Sequence, residues 1–423
     1  MEERHFHGAI DLEERFPVSE QINIMAPEFF TDPYPYFADL REENPVAQVQ
    51  PMGIWAVTRY EDVNHVLRTP KVFSSTAFQT VFRMLSPSMG ESELLLVNSM
   101  IGRDPPDHTR LRRLVNRAFT PKAIAALEPR IRELSRDLAQ EIGDRPQFDL
   151  VRDFSMPLPV TVIAEMLGVD PSRKDDFKRW SDDLVSLSSN PMHQSPETVQ
   201  RMLASRKELY AYFREMIEAR REDPRDDLIT GLTRAKDEGD ALNEDEVVSM
   251  TILLLVAGNE TTTNLIANAV RQLLPRPELE ARLRANPELI PSFVEEVLRF
   301  DSPVLGLFRQ VMEETTLGGK KIAPGSFVIP FFASANRDER RFPNADEFDI
   351  DRDTSGHLAF GFGIHFCLGA PLARLEAKVG LEELFKRFPS FQAASDELEW
   401  VDSFILRAPK RLLLKNTAAL NAH

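Results

Sequence analysis

The sequence predicts a mainly α fold with a small β region, and three observations carry that prediction. Helical patterning dominates from Asp107 to Phe300, broken at prolines such as Pro121, Pro157, Pro159, Pro191, Pro196 and Pro224. Short β-prone runs lie toward both ends, near residues 46–58, 315–332 and 398–414. Because those runs flank the helical body at 107–300, a cut into independent units would orphan them, so residues 1–423 read as a single domain.

Residues 1–32 predict an irregular N-terminal lead, and Pro27, Pro33, Pro35 and Pro45 leave room for one short helix before residue 45. Val46–Val49 and Ile54–Thr58, separated by Pro51-Met52-Gly53, have the form of a hairpin. Tyr60–Arg68 is helical in pattern. Ser74–Gly102 mixes Ser, Met, Gly and Phe without a period, which fits an adaptable loop over a pocket and equally a plain surface loop. A break at Ser188–Ser195 separates two helices. Asn243, with Glu246 three residues on, marks the start of a long helix running to about Leu274. After Thr315, Leu317-Gly318-Gly319 and Ala323-Pro324-Gly325 are turn signals around β runs that include Phe327–Phe332. Leu398–Val401 and Arg411–Leu414 form a last β-like pair.

A net charge of −16 argues against nucleic acid as the main partner, since phosphate binding needs a basic face. The longest apolar run, Met250–Gly258, is too short to cross a bilayer, and the acidic N-terminus has no positive flank. No membrane anchor or export signal is therefore expected. One cysteine in the chain forbids an internal disulfide and fits a cytoplasmic location.

That cysteine lies in Phe360-Gly361-Phe362-Gly363-Ile364-His365-Phe366-Cys367-Leu368-Gly369, with three glycines around it. Pro371 and the stripe Leu368, Leu372, Leu375, Val379 predict a helix just after it, which places the sulfur at a helix N-terminus where thiolate is favoured. One soft ligand without a second cysteine excludes a closed zinc or iron–sulfur cage, whereas haem iron needs only one axial protein ligand. The competing reading is a small buried hydrophobe.

In the long helix, Met250–Val256 is apolar apart from Thr251, so burial nearly all round is expected. Gly258-Asn259-Glu260-Thr261-Thr262-Thr263 breaks that pattern, as functional sites often do. A threonine hydroxyl there could organise water and a carboxylate could relay protons. The threonines could equally bond back to carbonyls four residues earlier, such as that of Ala257.

These residues resemble motifs of the cytochrome P450 family. Phe360 to Gly369 is similar to its Phe-x-x-Gly-x-x-x-Cys-x-Gly loop, and Ala257-Gly258-x-Glu260-Thr261-Thr262 to its oxygen-binding groove. The resemblance implies the triangular-prism P450 fold and a haem-thiolate monooxygenase that inserts one atom of O2 into a hydrophobic small molecule such as a terpenoid, steroid, fatty acid or polyketide. It implies haem b held by Cys367, with Phe360, Gly361, Gly369, Ala257 and Gly258 around it. It implies His108, Arg112, Arg309 and His365 as propionate ligands, and Glu260 with Thr261 as the proton-delivering acid–alcohol pair. Glu296 and Arg299, crowded by Phe293, Val294, Val297, Leu298 and Phe300, resemble the family's Glu-x-x-Arg pair with Arg352 as third member; Glu295 is the rival partner for Arg299.

Phe78, Phe82, Met84, Leu85, Val256, Ala257, Leu305, Leu307, Phe404 and Ile405 fall in segments that line family pockets, although each could be ordinary core. The helices flanking 188–195 correspond to the family's lid. A ferredoxin and an NAD(P)H-dependent ferredoxin reductase are the implied electron donors to a monomeric enzyme. Arg110, Arg113 and Arg117 share a helix face that could dock the ferredoxin or simply be solvated. A peroxide-driven peroxygenase would carry Arg-Pro in place of Glu260-Thr261, and a non-catalytic relative would have lost the thiolate or the groove.

Overall fold

The central helix, Glu244–Leu273, begins where the sequence places it. Asn243 accepts from the Glu246 N–H while the Glu246 carboxylate accepts from the Asn243 N–H, both at 2.9 Å, which closes a capping box. The computed structural model describes residues 22–417 except 78–79, 82–98, 118, 186–194 and 238–239. Helices Pro157–Leu167, Pro196–Glu222, Ile290–Phe300 and Ala370–Arg387 pack around the central one.

Its two halves serve different cores. Val247, Val248, Ile252 and Leu255 meet Leu209, Phe213 and Ile217, whereas Leu265, Ile266, Ala269 and Val270 meet Val297, Leu298, Ala377 and Leu381. Each of these Val, Leu, Ile and Phe side chains, fully withdrawn from water, contributes about 1.5–3 kcal/mol. That burial holds together helices far apart in sequence.

Eleven strands are present among the described residues: β1 (Val46–Val49), β2 (Ile54–Val57), β3 (Phe73–Ser74), β4 (Gln147–Asp149), β5 (Lys236–Asp237), β6 (Asp240–Ala241), β7 (Arg309–Val311), β8 (Thr315–Leu317), β9 (Lys320–Ile322), β10 (Phe327–Pro330) and β11 (Leu413–Lys415). The main sheet runs β1-β2-β10-β7-β3. The expected hairpin is there, with Val46 opposite Val57 and Val49 opposite Ile54, and β10 joins β2 in parallel. The helix Tyr60–Arg68 also has the bounds read from sequence.

Several expectations are corrected. Leu398–Val401 and Arg411–Leu414 do not pair with each other. Instead β11 lies antiparallel to β4, a strand within the stretch where helical patterning dominates, and Trp400 makes only an isolated bridge to Pro409. Long-range packing decides this: Leu414 is fully buried, and the ring of Phe148 stacks on Phe388 at 4.8 Å. Pro27–Thr31, assigned to the irregular lead, is a short helix with Pro27 at its start. Phe332, placed at the end of a β run, opens the short helix Phe332–Ala335. Between the helices Lys174–Val185 and Pro196–Glu222, the break lies almost wholly outside the described residues. No helix among the described residues is long and apolar enough to cross a membrane.

Candidate active site

The cysteine loop is folded by its own backbone. The Cys367 N–H donates to the Phe360 carbonyl at 2.9 Å, and the Gly361 N–H donates to Leu358 at 2.8 Å. Gly361 and Gly363 have φ of 68° and 71°, and a Cβ on Gly363 would lie 2.7 Å from the Leu67 carbonyl oxygen. Gly369 has an ordinary φ of −81°, so its role in the loop is not conformational; a Cβ there would instead stand 4.0 Å from the Cys367 sulfur. The helix Ala370–Arg387 follows, with Gly369 at its N-cap.

Burial pushes the Cys367 thiol up, while the Gly369 N–H, Arg112 and the Ala370 N–H pull it down. The helix-terminus effect read from the sequence is therefore present but outweighed. Binding a metal cation at the sulfur is what would carry it to thiolate.

Four basic residues converge beside this loop. His108 and Arg112 lie on consecutive turns of the helix Asp107–Asn116, Arg309 opens β7, and His365 precedes the cysteine by two residues. The His108 and His365 rings are 4.1 Å apart, and His365 Nε2 is 2.9 Å from Ser75 Oγ. Burial pushes His108 down to about 4 with help from Arg112, and His365 down to about 2 with help from Arg309 and His108. Burial likewise lowers Arg309 to about 10, opposed only by Asp104. Asp104 accepts from the Ser75 N–H at 2.9 Å and from the Ser74 hydroxyl. His108 is 2% exposed, yet neither of its ring nitrogens has a partner among the described residues. A largely buried pocket with more guanidinium and imidazole than carboxylate suits a ligand with carboxylates of its own.

On the central helix the reactive-type residues share an open face. Thr262 and Asn259 are buried, whereas Ala257 is exposed and Val256, Gly258, Glu260 and Thr261 are half-buried. Burial nearly all round holds for Met250–Leu255 and ends at Val256, where the open face begins. The Thr261 hydroxyl donates to the Ala257 carbonyl at 2.7 Å, and the helix remains unbroken. A Cβ on Gly258 would meet nothing within 4 Å, so no protein atom demands glycine there.

Behind the loop, Arg299 forks onto Glu296 with two bonds of 2.7 Å, both side chains fully buried. Arg352 Nε lies 3.4 Å from Glu296, an ion pair without a directed hydrogen bond, and its Nη2 reaches the carbonyls of Asn344 and Glu347. Glu295 turns instead to Arg374 and His357, at 2.5 and 2.9 Å. Sequence reasoning missed this second cluster, as well as the Ser75 and Asp104 supports, because their partners lie far away in the chain.

The apolar candidates disperse. Leu305, Phe404 and Ile405 share one buried cluster, and the Leu305 N–H donates to the Ile405 carbonyl at 2.8 Å. Leu307 packs on a second cluster and Val256 on a third. Phe78, Phe82, Met84 and Leu85 lie outside the described residues. Arg110 is no open docking residue, because it pairs with Glu246 and sits 3.5 Å from Asp240, facing the start of the central helix.

A haem fits these residues: a thiol for its iron, the unpartnered His108 nitrogens and guanidinium groups for its carboxylates, and an open face on the central helix. The family model described as Cytochrome P450 matches residues 32–415. Cytochrome P450 107B1 of Saccharopolyspora erythraea is 41% identical, over 91% of this chain and 95% of that protein. The structure of Cytochrome P450 CYP109Q5 from Chondromyces apiculatus superposes with a TM-score of 0.85 at 45% identity, covering 94% of this chain and 98% of that one. CYP109E1 from Bacillus megaterium, solved in complex with corticosterone, gives a TM-score of 0.83 at 40% identity, covering 92% and 100%.

Proposed function

The chain belongs to the cytochrome P450 family, and from that premise we propose that this monooxygenase inserts one atom of O2 into a steroid-sized apolar molecule, with electrons from a ferredoxin and an NAD(P)H-dependent reductase. The reading carries haem b in a single catalytic domain, with Cys367 as the residue that would hold its iron. Bound there, the haem supplies the redox chemistry that activates dioxygen.

This chain's residues then have distinct tasks. Phe360, Gly361 and Gly369 frame the sulfur, and His108, whose ring nitrogens have no partner among the described residues, holds the propionates together with Arg112, Arg309 and His365. Ala257 and Gly258 keep the helix face clear for dioxygen and substrate. The Thr261 hydroxyl, lent to the Ala257 carbonyl, leaves its oxygen lone pairs toward the open face, where it holds water, and Glu260 passes protons to it. Glu296, Arg299 and Arg352 fix the backbone behind the loop. Leu305, Phe404 and Ile405, which share one buried cluster, give the substrate an apolar wall on one side, and Val256, Ala257 and Leu307 contribute from other elements. The steroid size rests on CYP109E1, whose structure holds corticosterone.

The observation that carries the reading is the orphaned, cation-rich pocket around His108 next to the only sulfur of a cysteine in the chain. Titrating the purified holoenzyme with corticosterone is expected to shift the haem absorption. Thr261→Ala should then lower product formed per NAD(P)H by about tenfold or more, the balance appearing as peroxide. A Thr261→Ala enzyme that couples normally would overturn the proton-delivery assignment.

A further inference from the structure

The C-terminal half of the central helix carries a polar stripe where a buried helix should be apolar. At 100° per residue, Glu260, Thr261, Asn264, Asn268, Arg271 and Gln272 fall within about 120° of one another. The positions between them include Leu265, Ile266, Ala269, Val270 and Leu273, all apolar and all fully buried or nearly so. The stripe therefore runs unbroken from the reactive face to the end of the helix.

Asn264 and Asn268 are 4% and 0% exposed. Asn268 Nδ2 donates to the carbonyls of Asp301 at 3.2 Å and Arg407 at 2.9 Å, yet its Oδ1 has no partner among the described residues, nor does Asn264 Nδ2. One residue thus lacks an acceptor and the other a donor, one helical turn apart on the same face, without bonding each other. Water is the species that satisfies both. One turn further, Gln272 Nε2 donates to the Asp301 carboxylate at 3.1 Å, and Arg271 pairs with the same carboxylate. The Arg271 side chain is 20% exposed, so the stripe ends at solvent. There the Asp301 carboxylate, also 3.2 Å from Arg407 and from the Tyr34 hydroxyl, offsets the cationic charge.

We propose that ordered water threads this stripe, and that Asn264 and Asn268 position a proton path from the Arg271–Asp301 mouth to Thr261. The proposal rests on the monooxygenase reading above. In that reaction two protons from solvent and two electrons from the reductase partner combine with O2 and R–H to give R–OH and one water. Each water in the path releases one proton as it accepts another, so the path itself is unchanged. Asn264 and Asn268 are positioning residues here and touch no reacting atom.

Asn264→Leu fills similar space and removes the orphaned donor. In the holoenzyme turning over corticosterone, product per NAD(P)H should fall about threefold or more, with peroxide making up the balance and a larger solvent deuterium isotope effect. Substrate affinity and thermal midpoint should stay unchanged, and Asn264→Ser, which restores a polar group to the water, should recover most of the coupling. Crystals of the unmodified holoenzyme should show ordered water within hydrogen-bond distance of Asn264 Nδ2 and Asn268 Oδ1. Parent-like coupling and isotope effect in Asn264→Leu, or a dry contact between the two amides, would overturn the path. If Thr261→Ala uncouples while Asn264→Leu does not, the path alone falls; if neither uncouples, the proton-delivery reading falls with it.

Discussion

Two buried charged clusters flank the cysteine loop, and they are satisfied in opposite ways. In the Glu296–Arg299 pair, each guanidinium arm of Arg299 has an acceptor: Glu296 twice, and the carbonyls of Asn336, Ala345 and Glu347 at 2.9, 2.8 and 3.1 Å. In the cluster of His108, Arg112, Arg309 and His365, Arg309 reaches only the Phe308 carbonyl and His108 reaches nothing among the described residues. One cluster is complete within the chain and serves to hold it. The other leaves charge uncompensated and is complete only with a ligand, so the accounting of hydrogen bonds separates scaffold from site.

The sharpest way to break that contrast is Arg299→Ala, which strands Glu296 without a fork partner. Loss of about 3–5 kcal/mol of stability is expected, read by denaturant unfolding and by a collapse in soluble yield. Arg309→Met should do the reverse to the apoprotein, leaving its unfolding midpoint equal or higher because an unpaired buried cation is gone. The same change should speed haem transfer to a competing haem-binding protein by about tenfold or more, since charge-assisted bonds of about 1.5–3 kcal/mol are lost. Destabilisation of the apoprotein by Arg309→Met would erase the distinction between the clusters.

A smaller effect sharpens it. Burial opposes ionisation of Glu295, but Arg374 and His357 overcome it and hold the carboxyl down at about 2, from an ordinary value of 4.5. Its folded value is depressed, so the stability it contributes is present above pH 4.5 and is lost as pH falls toward 2. The loss is on the order of 2 kcal/mol, less than the full shift implies because the side chain keeps some contact with water. Acid unfolding of Glu295→Gln should lack that component and otherwise follow the parent.

The difference between the clusters also explains what the sequence could disclose. The central helix was legible to its capping residues because Asn243, Glu246 and the apolar run are local signals. Tyr60–Arg68 and the β1–β2 hairpin were legible for the same reason. Glu296 with Arg299 sits within one turn of one helix. By contrast, Ser75 beside His365 and Glu295 beside His357 and Arg374 join segments with no local signature. β4 has three residues, too few for an alternation to emerge, and its partner β11 is fixed by Phe148, Phe388 and Leu414 packing together. Arg110 looked like part of a solvated stripe because nothing in its own helix announces Glu246 across the gap.

The main sheet has one more consequence, for how the polypeptide is made. Trp55 in β2 is registered against Val328 in β10. At a synthesis rate of about 5–20 residues per second, one edge of β2 waits for roughly 15 to 55 seconds on the ribosome before its neighbour exists. Through that interval Ile54, Ala56 and Val57, later almost inaccessible to water, belong to an unfinished strand edge that invites pairing with other chains. Nascent-chain shielding should therefore matter more to the yield of this protein than its final stability, and slowed translation upstream of Phe327 should cost soluble product.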